Sequence, residues 1–192
     1  MSKPLIVVVA VLVLLALFGF GSYNSLVNLD ETVESCWSQI DNQLQRRADL
    51  IPNLVATVKG YAAHEEAVFT QVNEARAKLA GAQSVRDAAQ ADARLSGALS
   101  RLLAVVENYP NLKADANFRQ LQDELAGTEN RIAVARMDYN NAVRRFNAAI
   151  RRFPTVIFAR LLGFTPKDYF QAEPGAQSVP KVDFGTPPAA RQ

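Results

Sequence analysis

The sequence has few of the residues from which catalytic and metal sites are built. It contains one cysteine, Cys36, and one histidine, His64, among 192 residues. A single cysteine excludes an intramolecular disulfide. One cysteine and one histidine are also too few ligands for a His/Cys metal cluster within the chain. His64 lies in AAHEE at an expected helix start, where an exposed or capping role is predicted in preference to a catalytic base.

Motifs that bind phosphate or dinucleotides are also lacking, since no glycine-rich loop of the required spacing occurs. The adjacent carboxylates Glu65/Glu66 and Asp123/Glu124 diverge by about 100° on a helix, so they do not form a catalytic pair. Lys and Arg number 21 and Asp and Glu 19, so the overall charge does not indicate nucleic acid. We therefore predict no catalytic residue, no metal ligand, no cofactor and no nucleic-acid partner.

The longest apolar run is at the N-terminus, where PLIVVVAVLVLLALFGF (4–20) carries no charge. A helix of this length extends about 26 Å, close to the roughly 30 Å core of a bilayer. Tyr23 follows at a position that suits the headgroup level. The sequence therefore predicts a membrane anchor over 1–23, with residues 5–20 in the lipid bilayer, and a single-pass protein of the cell membrane.

A cleaved signal peptide is the alternative for this run, because Lys3, the apolar core and the small residues Gly19 and Gly21 fit one loosely. The run is longer than the usual signal core, no A-x-A site follows, and the helical pattern resumes after Tyr23, so a retained anchor is preferred. Lys3 precedes the run and Asp30 is the first charge after it. By the positive-inside rule this favours an extracytoplasmic position for the rest of the chain.

Beyond the anchor, apolar residues recur at spacings of three and four, which indicates helices packed against one another. Long helices are expected over 24–62 and 116–153, with two shorter ones between them, the second of which is capped by Ser84. Pro52 predicts a kink or short break near 48–51. The inner positions of the long helices are Val33, Trp37, Ile40, Leu44, Ile51, Leu54 and Val58, then Phe118, Leu121, Leu125, Thr128, Ile132, Ala135, Tyr139, Ala142, Phe146, Ala149 and Phe153.

No strand-like alternation occurs between residues 24 and 153, so the predicted fold class is all-α. We expect an N-terminal transmembrane helix followed by an elongated antiparallel bundle of about four helices over 24–164. The remaining segment, 165–192, holds five of the nine prolines. It predicts an extended, irregular Pro-rich C-terminal tail that lies over the bundle as far as Phe184.

Seven polar residues of the two long helices form a candidate polar layer near the proline. Antiparallel pairing places Arg47 level with Asn130, and Asp49 level with Thr128 and Glu129. One interpretation is a pocket for a ligand or partner. The preferred one is a buried ion-pair layer that fixes helix register, with Arg47 paired to Glu129 or Asn130. The seven residues are Arg46, Arg47, Asp49, Asn53, Glu129, Asn130 and Arg131.

From Tyr139 to Lys167 the sequence carries six basic residues and no acidic one. Aromatic and aliphatic residues alternate with them, which is typical of a segment that lies on anionic headgroups. The alternative is a helix end whose arginines interact with the helix dipole and whose aromatic residues pack inside, and both interpretations stay open. The residues that we predict to contact a membrane surface are Arg144, Arg145, Arg151, Arg152 and Arg160.

Three segments resemble the LemA family across nearly the whole chain. They are WSQIDNQLQRRADLIPNLVATVKGYAAHE (37–65), NYPNLKADANFRQLQDELAGTENRIAVARMDYNNAVRRFN (108–147) and the pair FP (153–154). The resemblance implies a bacterial-type membrane protein with a long antiparallel helical bundle. It implies no chemistry, and the association of some relatives with membrane organelle formation suggests scaffolding.

Two classes of function follow. The leading prediction is a membrane-anchored structural, scaffolding or interaction protein without catalysis, whose helix faces bind another membrane or membrane-associated protein, or a second copy of the chain. The alternative is a ligand-sensing accessory subunit that regulates a membrane enzyme or protease through the polar layer.

Overall fold

Two long antiparallel helices form the body of the protein in a computed structural model that describes residues 3–171. Within the first helix, only the backbone is described for residues 3, 6–12 and 14–17. The helices are α1 (Lys3–Lys59), α2 (Glu66–Ala80), α3 (Val85–Val106), α4 (Pro110–Ala114), α5 (Ala116–Ala149) and α6 (Thr155–Leu161). No strand occurs in these residues, so the all-α class is confirmed.

The pairing of α1 with α5 organises the core. The rings of Trp37 on α1 and Tyr139 on α5 lie 5.9 Å apart, edge to face. Large apolar side chains line both helices, and each contributes about 1.5–3 kcal/mol when it is fully buried. The fully buried ones include Leu26, Ile40, Ile51 and Leu54 on α1 and Phe118, Ile132 and Phe146 on α5.

The hairpin of α2 and α3 packs beside this pair, with α2 against α1. α2 ends at Gly81, whose N–H donates to the Ala77 carbonyl. The Ser84 hydroxyl accepts a hydrogen bond from the Asp87 N–H at 3.1 Å, so the predicted cap of α3 is confirmed. α5 is capped in the same way by Asp115, which accepts from the Phe118 N–H at 2.9 Å.

Pro52 does not break α1, which continues to Lys59. A proline lacks the N–H that would bond the carbonyl four residues back, here that of Ala48. Arg76 of α2 supplies the missing donor, since its Nε lies 2.8 Å from the Ala48 carbonyl oxygen. The helix is therefore uninterrupted where the sequence predicts a kink or break, because a side chain from the neighbouring helix satisfies the free carbonyl.

The predicted N-terminal transmembrane helix is wrong. No helix among residues 3–171 combines the length and the apolarity that crossing a membrane requires. The apolar run forms the first turns of the 57-residue α1, and its end packs on protein. The rings of Phe18 and Phe158 lie 6.0 Å apart, and a Cβ at Gly19 would lie 3.0 Å from the Phe158 ring. The expected single-pass topology, with residues 5–20 in lipid, rested on this prediction.

After α6 the chain runs extended along α5, held by two asparagine side chains. Asn147 accepts from the Lys167 N–H and donates to the Lys167 carbonyl, both at 2.9 Å. Asn140 bonds the N–H and carbonyl of Phe170 in the same way, at 2.9 and 3.0 Å. Each amide thus acts as a neighbouring strand would. The predicted tail beyond residue 171, including Phe184, lies outside the described residues.

Tyr139 and Lys167 add side-chain bonds to this attachment. The Tyr139 hydroxyl donates to the Asp168 carbonyl at 2.9 Å, and burial raises the pKa of Tyr139 to about 12. The Lys167 ammonium lies 2.9 Å from carboxylate oxygens of both Asp30 and Glu34 on α1. The segment 165–170 therefore joins both long helices.

Replacing Arg76 with methionine should destabilise the fold by about 1–3 kcal/mol, because the Ala48 carbonyl then loses its charged donor. In a Pro52→Ala background the restored N–H can bond that carbonyl, so the same substitution should cost much less. Chemical denaturation of the four proteins of this double-mutant cycle measures the coupling. Arg101→Met, on the exposed face of α3, is the matched control, and equal costs of Arg76→Met in both backgrounds would contradict the assignment.

Asn147→Ala should release the extended segment without unfolding the bundle. Loss of two hydrogen bonds, each worth about 0.5–1.5 kcal/mol, should speed hydrogen exchange at the Lys167 amide roughly five- to hundredfold. Site-resolved exchange by NMR measures this rate. Asn141→Ala, at a neighbouring position that does not bond the segment, should leave the Lys167 amide protected, and unchanged exchange in Asn147→Ala would argue against the attachment.

Candidate functional site

A network of four charged side chains lies where α1, α3 and α5 meet. Arg47 Nη1 is 2.6 Å from Asp92 Oδ1 and 2.6 Å from Glu129 Oε2. Arg47 Nη2 donates to the Ser96 hydroxyl at 3.0 Å, and Arg136 Nη2 lies 3.2 Å from Asp92 Oδ2. Two guanidinium groups therefore face two carboxylates, and the charges of the network balance.

The centre of this network is buried. The Asp92 side chain is 1% exposed and that of Arg47 6%. Burial raises the pKa of Asp92 from its ordinary value, while the positive charges of Arg47 and Arg136 act in the opposite direction. Such a group is tolerated because its partners surround it, and removal of one partner would leave an uncompensated charge in the interior.

The structure brings together only two of the seven residues of the predicted polar layer, Arg47 and Glu129. Arg46 is exposed, 4.0 Å from Glu124, and exposed Asp49 accepts from the Gln45 amide at 2.9 Å. The pairing is shifted by one residue from the expected level of Arg47 with Asn130. The residues of the layer that lie on the surface are Arg46, Asp49, Asn53, Asn130 and Arg131.

Asp92 and Arg136 are the two members of the network that the predicted layer lacks, and Ser96, which bonds Arg47, is absent from it as well. A signal was present, because Asp92 occupies an inner position of α3 at the same spacing of three and four as Leu95, Leu99 and Leu102. A carboxylate in an apolar seam predicts a buried cationic partner. Arg47 occupies the equivalent place in the seam of α1. Its positive charge and the negative charge of Asp92 indicate that the two residues could pair.

A cleft of about 360 Å³ opens beside the network, between α3 and α5. Arg47 and Glu129 line it together with apolar residues that include Leu54, Leu99 and Leu125. Within the described chain, Arg47 Nε is buried and has no hydrogen-bond partner. The cleft is therefore lined by apolar side chains together with two charged residues of the network.

The other predicted site, the basic run, lies at the end of the bundle formed by the last turns of α5 and by α6. Phe158 packs on α1 and Ala159 is buried, whereas the C-terminal part of α6 exposes Ile157, Arg160 and Leu161. Phe153 and Leu161 are 82% and 81% exposed, and Ile157 and Leu162 are also exposed.

All five predicted arginines are exposed around these side chains. Among residues 3–171 none of the five lies within 4.0 Å of a carboxylate. The basic end of the bundle is defined here as α6, Phe153 and these arginines: Arg144, Arg145, Arg151, Arg152 and Arg160.

The residues that could supply nucleophilic or metal chemistry are dispersed. His64 is exposed in the turn before α2, and Cys36 is a free, half-buried thiol on α1. In the part of the chain that the structure describes, no three His, Cys, Asp or Glu side chains converge in a way that could hold a metal ion.

Replacing Arg47 with alanine should lower the free energy of unfolding by about 3–5 kcal/mol, because Asp92 would keep a buried charge that has lost its closest partner. Thermal and denaturant melts measure this loss. The adjacent Arg46→Ala removes only an exposed contact and should change stability by less than about 0.5 kcal/mol. Equal melting temperatures for the two variants would show that the network does not stabilise the fold.

Comparison with known proteins agrees with the resemblance noted in the sequence. Magnetosome protein MamQ 1 of Paramagnetospirillum magneticum is 27% identical over 185 residues, covering 81% of this chain and 67% of that protein. Magnetosome protein MamQ of Magnetospirillum gryphiswaldense is 27% identical over 182 residues, with the same coverage. Protein LemA of Metamycoplasma hominis is 23% identical over 167 residues, covering 86% of this chain and 74% of that protein. The sequence model of the LemA family matches residues 36–184, and the chain belongs to the LemA family.

Proposed function

We propose that this chain is a non-catalytic, membrane-associated structural protein whose basic end binds an anionic membrane surface. The observation that carries the proposal is the exposure of large apolar side chains among arginines that have no acidic partner in the described residues. Soluble monomeric proteins rarely expose large apolar residues in a group, and such a group usually marks an interaction surface.

The energetics favour a lipid surface over water for this end of the bundle. Each arginine near an anionic surface contributes about 1 kcal/mol. Transfer of a leucine or phenylalanine side chain out of water adds roughly 1.5–3 kcal/mol. Neither contribution requires α6 to cross a bilayer, since an amphipathic segment can lie in the headgroup region with its apolar side chains inserted.

The relatives are consistent with this role. Two of them carry the name magnetosome protein, and none of the names given above states a reaction. The resemblance to the LemA family implies a membrane protein, and a structural role needs only a stable bundle that presents a binding surface. The same surface could bring copies of the chain, or another membrane-associated protein, together on one membrane.

A ligand-sensing accessory subunit that regulates a membrane enzyme or protease is the second candidate. The cleft beside Arg47 favours it, because a cleft lined by apolar side chains and a few charged ones can hold a small molecule. It ranks second because the two terminal nitrogens of Arg47 already bond Asp92, Glu129 and Ser96.

The full chain should sediment with phosphatidylcholine vesicles that contain phosphatidylserine and should bind pure phosphatidylcholine vesicles much less. Raising the salt concentration should weaken the binding, because screening shortens the range of the arginine charges. Leu161→Asp removes an inserted side chain and adds a repelled charge, so it should weaken binding at least about tenfold.

Val134→Asp is the matched control, since Val134 is also an exposed apolar residue but lies in the middle of α5. This variant should bind as the unaltered chain does. Equal binding to vesicles with and without phosphatidylserine, or equal losses in the two variants, would refute the proposed surface.

A further inference from the structure

A groove of about 900 Å³ lies between α1 and the last turns of α5, next to α6. Arg144, Arg145 and Arg152 line it from one side, and Ser22 and Ser25 of α1 line it from the other. Among the residues that the structure describes, no carboxylate belongs to its lining. Within these residues the groove therefore combines three cationic groups with hydroxyl groups and has no acidic side chain to neutralise them.

The remainder of the lining is apolar or small. Phe18 and Leu29 contribute apolar surface from α1, above the fully buried Leu26, and Ala148 and Ala149 contribute short side chains from α5. Gly21 also lines the groove, and a Cβ placed there would meet no atom within 4 Å. The space between the helices thus exists because small residues replace the large side chains that fill the seam elsewhere.

The chemistry of the two parts selects one class of occupant. Guanidinium groups bind phosphate oxygens through paired, charge-assisted hydrogen bonds. A free phosphate ion would use the arginines but would leave the apolar part of the groove unfilled. A molecule with a phosphate at one end and a hydrocarbon chain at the other would use both.

We propose that this groove binds one anionic phospholipid molecule, with its phosphate at Arg144, Arg145 and Arg152 and the start of its acyl chains beside Phe18 and Leu29. The inference rests on the proposed function and narrows it. Adsorption to a charged surface needs only the exposed side chains of the basic end, whereas the groove would hold a single lipid in a fixed position.

The probe is dihexanoyl phosphatidic acid, used below its micelle concentration with the full chain. Calorimetric titration should show saturable binding with one lipid per chain. Inorganic phosphate should bind at least about tenfold more weakly, because it lacks the apolar contribution of roughly 0.8 kcal/mol for each buried CH₂ group. Equal affinity for the two would assign the arginines to free phosphate and overturn the lipid, and absence of saturation would overturn the site.

Two pairs of variants locate the bound lipid. Gly21→Leu fills the groove, and Gly97→Leu makes the same substitution on α3, where a Cβ also meets no atom within 4 Å. Arg145→Gln/Arg152→Gln removes two charges from the groove, and Arg151→Gln/Arg160→Gln removes two that do not line it. Gly21→Leu should weaken binding of the short-chain lipid at least about tenfold, because the leucine side chain occupies the space of the lipid. The first arginine pair should have an effect of at least the same size, because two charge-assisted hydrogen-bond donors are lost. The two controls should not.

Vesicle sedimentation separates this inference from the proposed function. Gly21→Leu should still bind vesicles that contain phosphatidylserine, because it leaves α6 and all five arginines in place. Retained vesicle binding together with unweakened short-chain lipid binding in Gly21→Leu would refute the groove and leave the surface intact. If both proposals hold, Leu161→Asp loses vesicle binding, whereas Gly21→Leu keeps vesicle binding and loses binding of the short-chain lipid.

Discussion

Charge compensation inside the bundle is the constraint on which the arrangement of the helices depends. Arg47 of α1 has its charge buried, and it meets Asp92 of α3 and Glu129 of α5 at 2.6 Å. Apolar seams tolerate sliding by a heptad, because one leucine can replace another. A buried cation does not, since any other register would leave it without a partner at a cost of several kcal/mol. The network therefore specifies how three helices align.

Buried polar groups of the backbone need partners in the same way as the buried charges do. The Ala48 carbonyl, left free by Pro52, bonds Arg76, and the extended chain after α6 bonds Asn140 and Asn147 in place of a second strand. Buried backbone groups are rarely left unpaired. In this protein, long polar side chains from neighbouring helices supply the bonds that regular secondary structure does not, so local irregularities become tertiary contacts.

The sequence predicted the all-α class and the cap at Ser84, because these depend on local patterns. It predicted an extended segment over the bundle after residue 165 but not the contacts of residues 165–170, since an asparagine on a helix surface does not indicate what it will bond. Asp92 was missed although it lies in an apolar seam. Its partner Arg47 is 45 residues away in sequence, and only their opposite charges indicate that they pair. The transmembrane prediction is wrong, because no helix among residues 3–171 is both long and apolar enough to cross a membrane, and the end of the apolar run packs on Phe158.

The two asparagines lie seven residues apart on α5, while the residues they bind, Lys167 and Phe170, lie three apart. Seven residues of α-helix and three of extended chain both cover about 10 Å. The spacing of the two asparagines on the helix therefore sets the length of the extended segment between Lys167 and Phe170. Surface loops usually accept insertions and deletions readily. One residue gained or lost between Lys167 and Phe170 would instead move Phe170 out of hydrogen-bonding distance of Asn140. This stretch should therefore keep its length through evolution more strictly than its lack of secondary structure suggests.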